Sequence, residues 1–233
     1  MMKTGNWIIL AACLIPLCVP CNISAQKADF SDADKEFLVQ LARNTLKGYL
    51  KDGSILKIDE KQVSESIRAN GACFVTLVKK GTGLRGCIGT FERSLPLYRN
   101  VIDRSISAAV HDPRFPKVGY DELKDIKIEI SVLTAPEKIL FHSPDELLSK
   151  LRPEKDGVIL KTRYGSSTFL PQVWQQLPDK EQFLAYLCRK QGAPETAWKD
   201  SYKDIEVQTY QTISFGEETY GGIDKAGNSQ HQE

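Results

Sequence analysis

The chain has 233 residues, of which 41% are hydrophobic and 26% are charged, as is usual for soluble globular proteins. Its formal net charge of +1 gives no electrostatic reason to expect nucleic acid or an anionic membrane surface as a partner. The length is enough for one large domain or two small ones, with a sizeable core.

Residues 1–25 are predicted to be a secretory signal peptide. Lys3 precedes an apolar run over residues 7–15, and Ser24-Ala25 supplies the small residues of a cleavage site. The run is too short for a membrane span, so we expect an exported protein, periplasmic or secreted, without an integral span. A lipid anchor on Cys21 is the alternative, although Pro20 stands where such a site has a small residue.

The mature chain would keep three cysteines, Cys73, Cys87 and Cys188. An odd number in an exported protein leaves at least one free thiol or an intermolecular bond. No pair with C-x-x-C spacing remains, and the few histidines are scattered, so we predict neither a metal site nor a cofactor.

The first predicted element is a helix over residues 31–50. Ser31 and Asp34 have the spacing of a capping box, apolar residues follow at helical intervals, and Asp52-Gly53 ends the helix. The polar stretch 54–70 that follows is predicted to be irregular.

A β-hairpin is predicted next. The apolar run 73–78 and the stretch 84–91 are joined by a short loop that contains Gly81 and Gly83. Gly86 and Gly89 are unusual inside a strand and indicate a bulge, or a place where another backbone or a ligand comes close.

The rest of the chain alternates helices and strands, and the final residues from 216 to 233 are predicted to be disordered. Helices are predicted over residues 94–112, 143–151 and 179–191, and strands over 126–133, 157–161, 167–170 and within 204–215. This order predicts an α+β fold, an antiparallel sheet flanked by helices, with a second smaller α/β lobe separated near residues 138–156.

Several motifs occur together in an order that resembles one family. They are LRGCIGT at 84–90, DPRFP at 112–116, EISVL at 129–133, GVIL at 157–160 and FLPQVW at 169–174. On these residues the chain resembles the AMMECR1 domain family, which includes AmmeMemoRadiSam system protein A, over roughly residues 34–215. The resemblance implies an α+β fold of two unequal lobes and, as partners, a Memo-like protein and a radical-SAM protein, but no settled reaction.

Cys87 is the main chemical candidate. Its thiol is predicted to be a nucleophile or the carrier of a covalent intermediate, with Arg85 and nearby backbone N–H groups stabilising negative charge. On a regular strand the two side chains share a face, which a bulge at Gly86 would prevent. The alternative is a small, buried and inert thiol.

Other residues are predicted to line a substrate cleft around this motif. The set is Gly86, Gly89, Asp112, Arg114, Gln172 and Trp174. Asp112 and Arg114 would clamp a polar ligand or, equally, form an ion pair that fixes their loop. Trp174 is alternatively a core anchor, and His111 is either a general base or an exposed residue at a helix end.

Two functions remain open from the sequence. The first is a thiol-dependent enzyme or enzyme subunit, and the second is a non-catalytic small-molecule-binding or adaptor module that uses the same cleft. The hairpin turn also places Cys73 and Cys87 diagonally on one face, roughly 7 Å apart. That distance is long for a disulfide, so a bridge remains a secondary hypothesis.

Overall fold

A computed structural model describes residues 30–217 of the chain. The helices are α1 Asp32–Asp52, α2 Glu65–Arg68, α3 Leu97–Val110, α4 Pro144–Lys150, α5 Lys180–Lys190 and α6 Ala197–Asp200. The strands are β1 Ala72–Lys79, β2 Gly83–Gly89, β3 Ile126–Leu133, β4 Glu137–Lys138, β5 Gly157–Thr162, β6 Gly165–Phe169, β7 Glu206–Tyr210 and β8 Thr212–Gly216. The predicted signal peptide, Cys21 and residues 218–233 lie outside the described residues.

Helix α1 begins and ends where the sequence predicts. The Ser31 hydroxyl accepts a hydrogen bond from the Asp34 N–H, the Asp34 carboxylate accepts one from the Ser31 N–H, and Gly53 closes the helix in the left-handed conformation. These contacts satisfy backbone groups that a helix end leaves open. The polar stretch after it is not entirely irregular, since it contains α2 and a 3₁₀ turn at Glu60–Gln62.

The first sheet is antiparallel, in the order β2-β1-β3-β8. Helices α1 and α3 cover one face, where Val75, Leu77, Ile128 and Ile130 join their apolar residues in the larger core. The alternate positions of β1 and β3 lie on the opposite face. Because no helix of residues 30–217 covers that face, several of its side chains remain partly exposed.

The second sheet is also antiparallel, in the order β4-β7-β5-β6, and it packs with α4, α5 and α6 around a separate core. Trp174 stacks on Phe183 there, with ring centroids 3.6 Å apart. The predicted class, an α+β fold with antiparallel sheets flanked by helices, is therefore confirmed.

Aromatic side chains join the two parts of the fold. The Phe74 ring lies over Gly89, the Tyr210 ring lies over Gly157, and Phe91 contacts both rings edge-on. Burial raises the pKa of Tyr210 to about 12, and its hydroxyl donates to the Phe169 carbonyl. The second sheet thus packs against one end of the first sheet's helix-free face and leaves the other end open.

The C-terminal segment differs from its prediction of a single strand. The chain forms β7 in the second sheet and then β8 in the first, with only Gln211 between them. β8 also includes Gly216, and the Glu217 carboxylate binds the Arg43 guanidinium. Residues 216 and 217, which the sequence analysis placed in the predicted disordered tail, therefore have defined contacts with the first sheet and α1.

The hairpin register contradicts the predicted placement of Cys73 and Cys87 on one face. Lys79 pairs with Gly83 and Val78 with Leu84, as the turn predicts, but Leu77 then pairs with Gly86, so Arg85 is an extra residue. A one-residue bulge exchanges the faces of all residues beyond it. Cys73 is buried beneath the helices, whereas Cys87 lies on the other face, so the two thiols are free and the secondary hypothesis of a bridge is wrong.

Within residues 30–217 no helix combines the length and the apolar character that crossing a bilayer requires.

Candidate functional site

Arg85 turns away from the thiol that it was predicted to assist. Its guanidinium donates to both oxygens of Glu122, at 3.1 Å each, and to the carbonyls of Pro116 and Lys117. The bulge is the physical reason, because it removes Arg85 from the alternation that would have placed it beside Cys87. The structure therefore does not bring these two predicted site residues together.

The ion pair of Arg85 and Glu122 has a consequence for acid stability. Hydrogen bonds from Arg85, supported by Lys79, lower the pKa of Glu122 to about 2. A carboxylate with a lowered pKa stabilises the fold fully above its unfolded pKa, and this contribution is lost as the pH falls from about 4.5 to about 2. We expect Glu122→Gln to reduce the free energy of unfolding by about 2 kcal/mol at pH 7.

Urea unfolding measured from pH 7 down to pH 2 checks this. The difference between the wild-type protein and Glu122→Gln should shrink steadily below pH 4.5. Glu137→Gln, at an exposed strand position, is the control. A difference that stays constant down to pH 2 would contradict the assignment.

Protein atoms account for both glycines of the motif. A Cβ on Gly86 would lie 2.1 Å from the Ala108 carbonyl oxygen of α3, and a Cβ on Gly89 would lie 2.2 Å from the Phe74 ring. Both sequence interpretations hold here, because β2 bulges at Arg85 and the backbone of α3 comes close at Gly86. Because these two positions of β2 have no side chain, α3 and Phe74 can pack closely against the strand.

Asp112 fastens the loop after α3 to the edge of the first sheet. Its carboxylate accepts hydrogen bonds from the Cys87 N–H at 2.9 Å and from the Arg114 N–H, Nε and Nη2 at 2.7–3.1 Å. The Arg114 bonds, with help from the backbone, hold the pKa of Asp112 well below its ordinary value. The bond from Cys87 gives a partner to an N–H of the edge strand β2 that no other strand within residues 30–217 reaches.

Arg114 is the cation that lies beside Cys87. Its Nη2 also donates to the Cys87 carbonyl at 3.1 Å. Hydrogen bonds to the Asp112 carboxylate are the main reason that the pKa of Arg114 is raised. Within residues 30–217, Nη1 has no hydrogen bond, and 54% of the side chain is exposed. The guanidinium is thus held in place and still able to bind an anion.

The Cys87 thiol lies on the helix-free face and is only partly buried. The Thr76 hydroxyl, directly across the strand pair, donates to its sulfur at 3.3 Å. The other two thiols of the described residues, Cys73 and Cys188, are fully buried. Burial raises the pKa of Cys73 to about 12 and also raises that of Cys188, so both are inert at neutral pH.

Thr76 has a second cross-strand neighbour, Glu129 on β3. The Cys87 thiol, the Thr76 hydroxyl and the Glu129 carboxyl therefore form one row across the helix-free face, which is called the open face below. The sequence analysis did not select Thr76 or Glu129. The alternation of 126–133 shows that Glu129 opposes the buried face of its strand, but only the three-strand register shows that it lies in line with Cys87.

The predicted cleft residues of the second sheet are not part of this row. Trp174 is 1% exposed and its Nε1 donates to the Asp156 carbonyl at 2.7 Å, which is the core-anchor alternative. Gln172 is exposed on a 3₁₀ turn that packs on β5. The structure therefore groups Cys87, Asp112 and Arg114 but places Gln172 and Trp174 apart from them.

A surface depression of about 520 Å³ lies elsewhere, between α1 and the 3₁₀ turn Tyr120–Asp125. The Arg43 guanidinium inside it is bound by Glu217 and by the Leu123 and Ile126 carbonyls. Among the residues that the structure describes, no group of three or more His, Cys, Asp or Glu side chains is arranged to hold a metal ion.

Comparison with known proteins relates the chain to one family. The AMMECR1 family model matches residues 39–215. A protein of Thermococcus onnurineus is 40% identical over 190 residues, covering 78% of this chain and 90% of that relative. Protein MK0488 of Methanopyrus kandleri is 38% identical over 186 residues, covering 78% and 88%.

A solved structure agrees with these relatives. The crystal structure of the uncharacterized protein PH0010 from Pyrococcus horikoshii superposes with a TM-score of 0.69 at 37% identity. The match covers 81% of this chain and 94% of PH0010.

Proposed function

Because the chain belongs to the AMMECR1 family, whose matched region contains the whole Cys87 site, we propose that it is a thiol-dependent enzyme that forms a covalent acyl intermediate on Cys87. The observation that carries this proposal is the environment of one sulfur atom. The thiol is partly exposed and accepts a hydrogen bond from Thr76, and the guanidinium of Arg114 is held at the same residue by its bond to the Cys87 carbonyl.

The chemistry that these groups support is acyl transfer. The sulfur attacks a carbonyl carbon, the C–S bond forms, and the carbonyl oxygen becomes negative. Arg114 Nη1 is the donor available to stabilise that oxygen, since its other nitrogens are held by Asp112 and Cys87. The leaving group departs with the proton of the thiol, and water then hydrolyses the thioester and restores the thiol.

The partners expected from the family resemblance, a Memo-like protein and a radical-SAM protein, are not required for this chemistry. Export of the mature chain also remains an expectation from the sequence. The second function, a non-catalytic binding module, would use the same open face without forming a bond to sulfur.

Reaction with p-nitrophenyl acetate separates the two functions. We expect the wild-type protein to release a burst of p-nitrophenol close to one equivalent, because the acetyl group accumulates on Cys87. Cys87→Ala and Cys87→Ser should lose the burst. His111→Ala, which removes the exposed histidine at the end of α3, should keep it. An undiminished burst in Cys87→Ala, or none in the wild-type protein, would contradict the proposal.

A further inference from the structure

Glu129 is a partly buried carboxyl group without a partner. No hydrogen bond or ion pair engages its side chain within residues 30–217, and burial alone raises its pKa. Other carboxylates of residues 30–217 that are shielded from solvent are paired with cations, as in Asp112 with Arg114, Glu122 with Arg85 and Glu206 with Lys138 and Lys161. Leaving one such group unpaired costs stability, which indicates a use for it.

The position of Glu129 relative to Cys87 is set by the sheet. Thr76 pairs with both residues, so their Cα atoms are two strands apart, roughly 10 Å. Cross-strand side chains lie about 5 Å apart at Cβ, so a rotation of the flexible Glu129 side chain brings its carboxyl to the Thr76 hydroxyl. That hydroxyl donates to the sulfur in this structure, and when it turns to donate to Glu129 it can accept the thiol proton.

We propose that Glu129 is the acid–base group that serves Cys87, and that the substrates are carboxylic amides and esters. This inference rests on the proposed function of Cys87. The geometry that carries it is the single row of thiol, hydroxyl and unpaired carboxyl across the open face.

The proton balance of the reaction then closes within this row. As the C–S bond forms, the thiol proton passes through Thr76 to the Glu129 carboxylate. When the bond between the carbonyl carbon and the leaving amine or alcohol breaks, Glu129 gives that proton to the leaving group. Water next attacks the thioester, Glu129 takes its proton, and the proton returns to sulfur as the C–S bond breaks.

The next row of the same face indicates a polar leaving group. Ser131 follows Glu129 on this face, and its hydroxyl is 2.8 Å from that of Ser214 on β8. This hydroxyl pair lies on the Glu129 side of the row, since β8 borders β3 and β2 is at the other edge. Ser131 is itself buried and Ser214 is exposed, so an amine or alcohol leaving group at Glu129 would have the Ser214 hydroxyl as its hydrogen-bonding partner.

Few charged or titratable groups of residues 30–217 lie near Glu129, and the strand register identifies them. Lys127 precedes it on the same face of β3, and Cys87 with Arg114 lies two strands away. Glu217 follows β8, and its carboxylate is held by Arg43 and the Ile128 N–H. Helix α1 packs on the opposite face. Glu129 is thus the only one of these carboxylates available to exchange a proton with Cys87.

The test compares turnover of p-nitrophenyl acetate and acetyl p-nitroanilide across pH. Deacylation needs the ionised carboxylate, so the wild-type rate with the ester should fall on the acid side, with a midpoint above the ordinary glutamate value. Glu129→Gln should keep the amplitude of the burst but reach it more slowly, should lose the fall in rate on the acid side, and should turn over about 100-fold more slowly at pH 7. In Glu129→Gln the turnover rate should fall more for the anilide than for the ester, because the amine leaving group of the anilide needs an acid and the phenol of the ester does not.

Two further variants complete the design. Glu129→Asp should restore the fall on the acid side at a reduced rate, and Glu137→Gln is the control for removing a strand glutamate. If Glu129→Gln does not fold, the pH profiles of the wild-type protein and of Glu129→Asp still test the role of Glu129. A burst on Cys87 with Glu129→Gln turnover within about twofold of the control would overturn the role of Glu129 and leave the proposed function standing. Absence of any burst would overturn both.

Discussion

Gly86→Ala is expected to lower the free energy of unfolding by about 3 kcal/mol or more, the largest stability effect of any change in the motif. The new Cβ would lie 2.1 Å from the Ala108 carbonyl oxygen. That atom belongs to the backbone of α3, so relief requires the whole helix to move away from β2. For a chain of this size the melting temperature should fall by roughly 6–12 °C.

Gly119→Ala is the matched control. Gly119 has an ordinary extended backbone, with φ −82°. Its new Cβ would lie 3.9 Å from Glu122 Oε1, which is an ordinary van der Waals distance. We expect a change within about 0.5 kcal/mol. Thermal unfolding of both variants, followed by circular dichroism, makes the measurement. Equal melting temperatures for Gly86→Ala and Gly119→Ala would show that α3 does not pack against β2 as described.

Arg114→Gln should slow acylation of Cys87 about 100-fold, the largest effect expected on the burst rate from any residue other than the thiol itself. Removing one donor to a developing oxyanion typically costs two to three orders of magnitude. The burst rate with p-nitrophenyl acetate measures the effect, and Asp112→Asn should show part of it, because Asp112 holds the guanidinium in position.

The chain contains its own control for this substitution. Arg152 binds the buried Asp156 as Arg114 binds Asp112, with side chains 56% and 54% exposed over carboxylates that are each 2% exposed. Arg152→Gln breaks the same kind of ion pair in the second sheet's part of the fold. Its burst rate should match that of the wild-type protein. An equal loss of rate in both variants would mean that Arg114 acts through stability and not through the reaction.

The sequence predicts best where the signal is local. The capping residues of α1 and the alternation of β3 each depend on residues within one element, and the structure confirms both. Cys188 on the apolar face of α5 is likewise buried, as the helical spacing predicts.

The candidate site depended on information that no single segment contains. One bulged residue, Arg85, changes the partner of every later position in β2, so the guanidinium that lies beside Cys87 comes from Arg114 and not from Arg85. The DPRFP motif identified Arg114, but it did not show that the loop is fastened to the edge of β2. A bulge has no reliable signal in one sequence, although Gly86 correctly indicated an irregular strand.

Glu129 and Thr76 were missed for a related reason. Each occupies a polar position in an alternating strand, which ordinarily indicates only a solvated face. Their significance appears once β1 is known to lie between β2 and β3, and the segments 72–79 and 126–133 are far apart in the chain. The split of residues 206–216 between two sheets depends on tertiary packing in the same way.

The most direct measurement of the central claim is the location of the acetyl group on the folded protein. After brief exposure to p-nitrophenyl acetate, peptide mapping by mass spectrometry should find Cys87 acetylated, while Cys73 and Cys188 remain unmodified. Acetyl groups confined to surface lysines, with Cys87 untouched, would contradict the assignment of this thiol as the nucleophile.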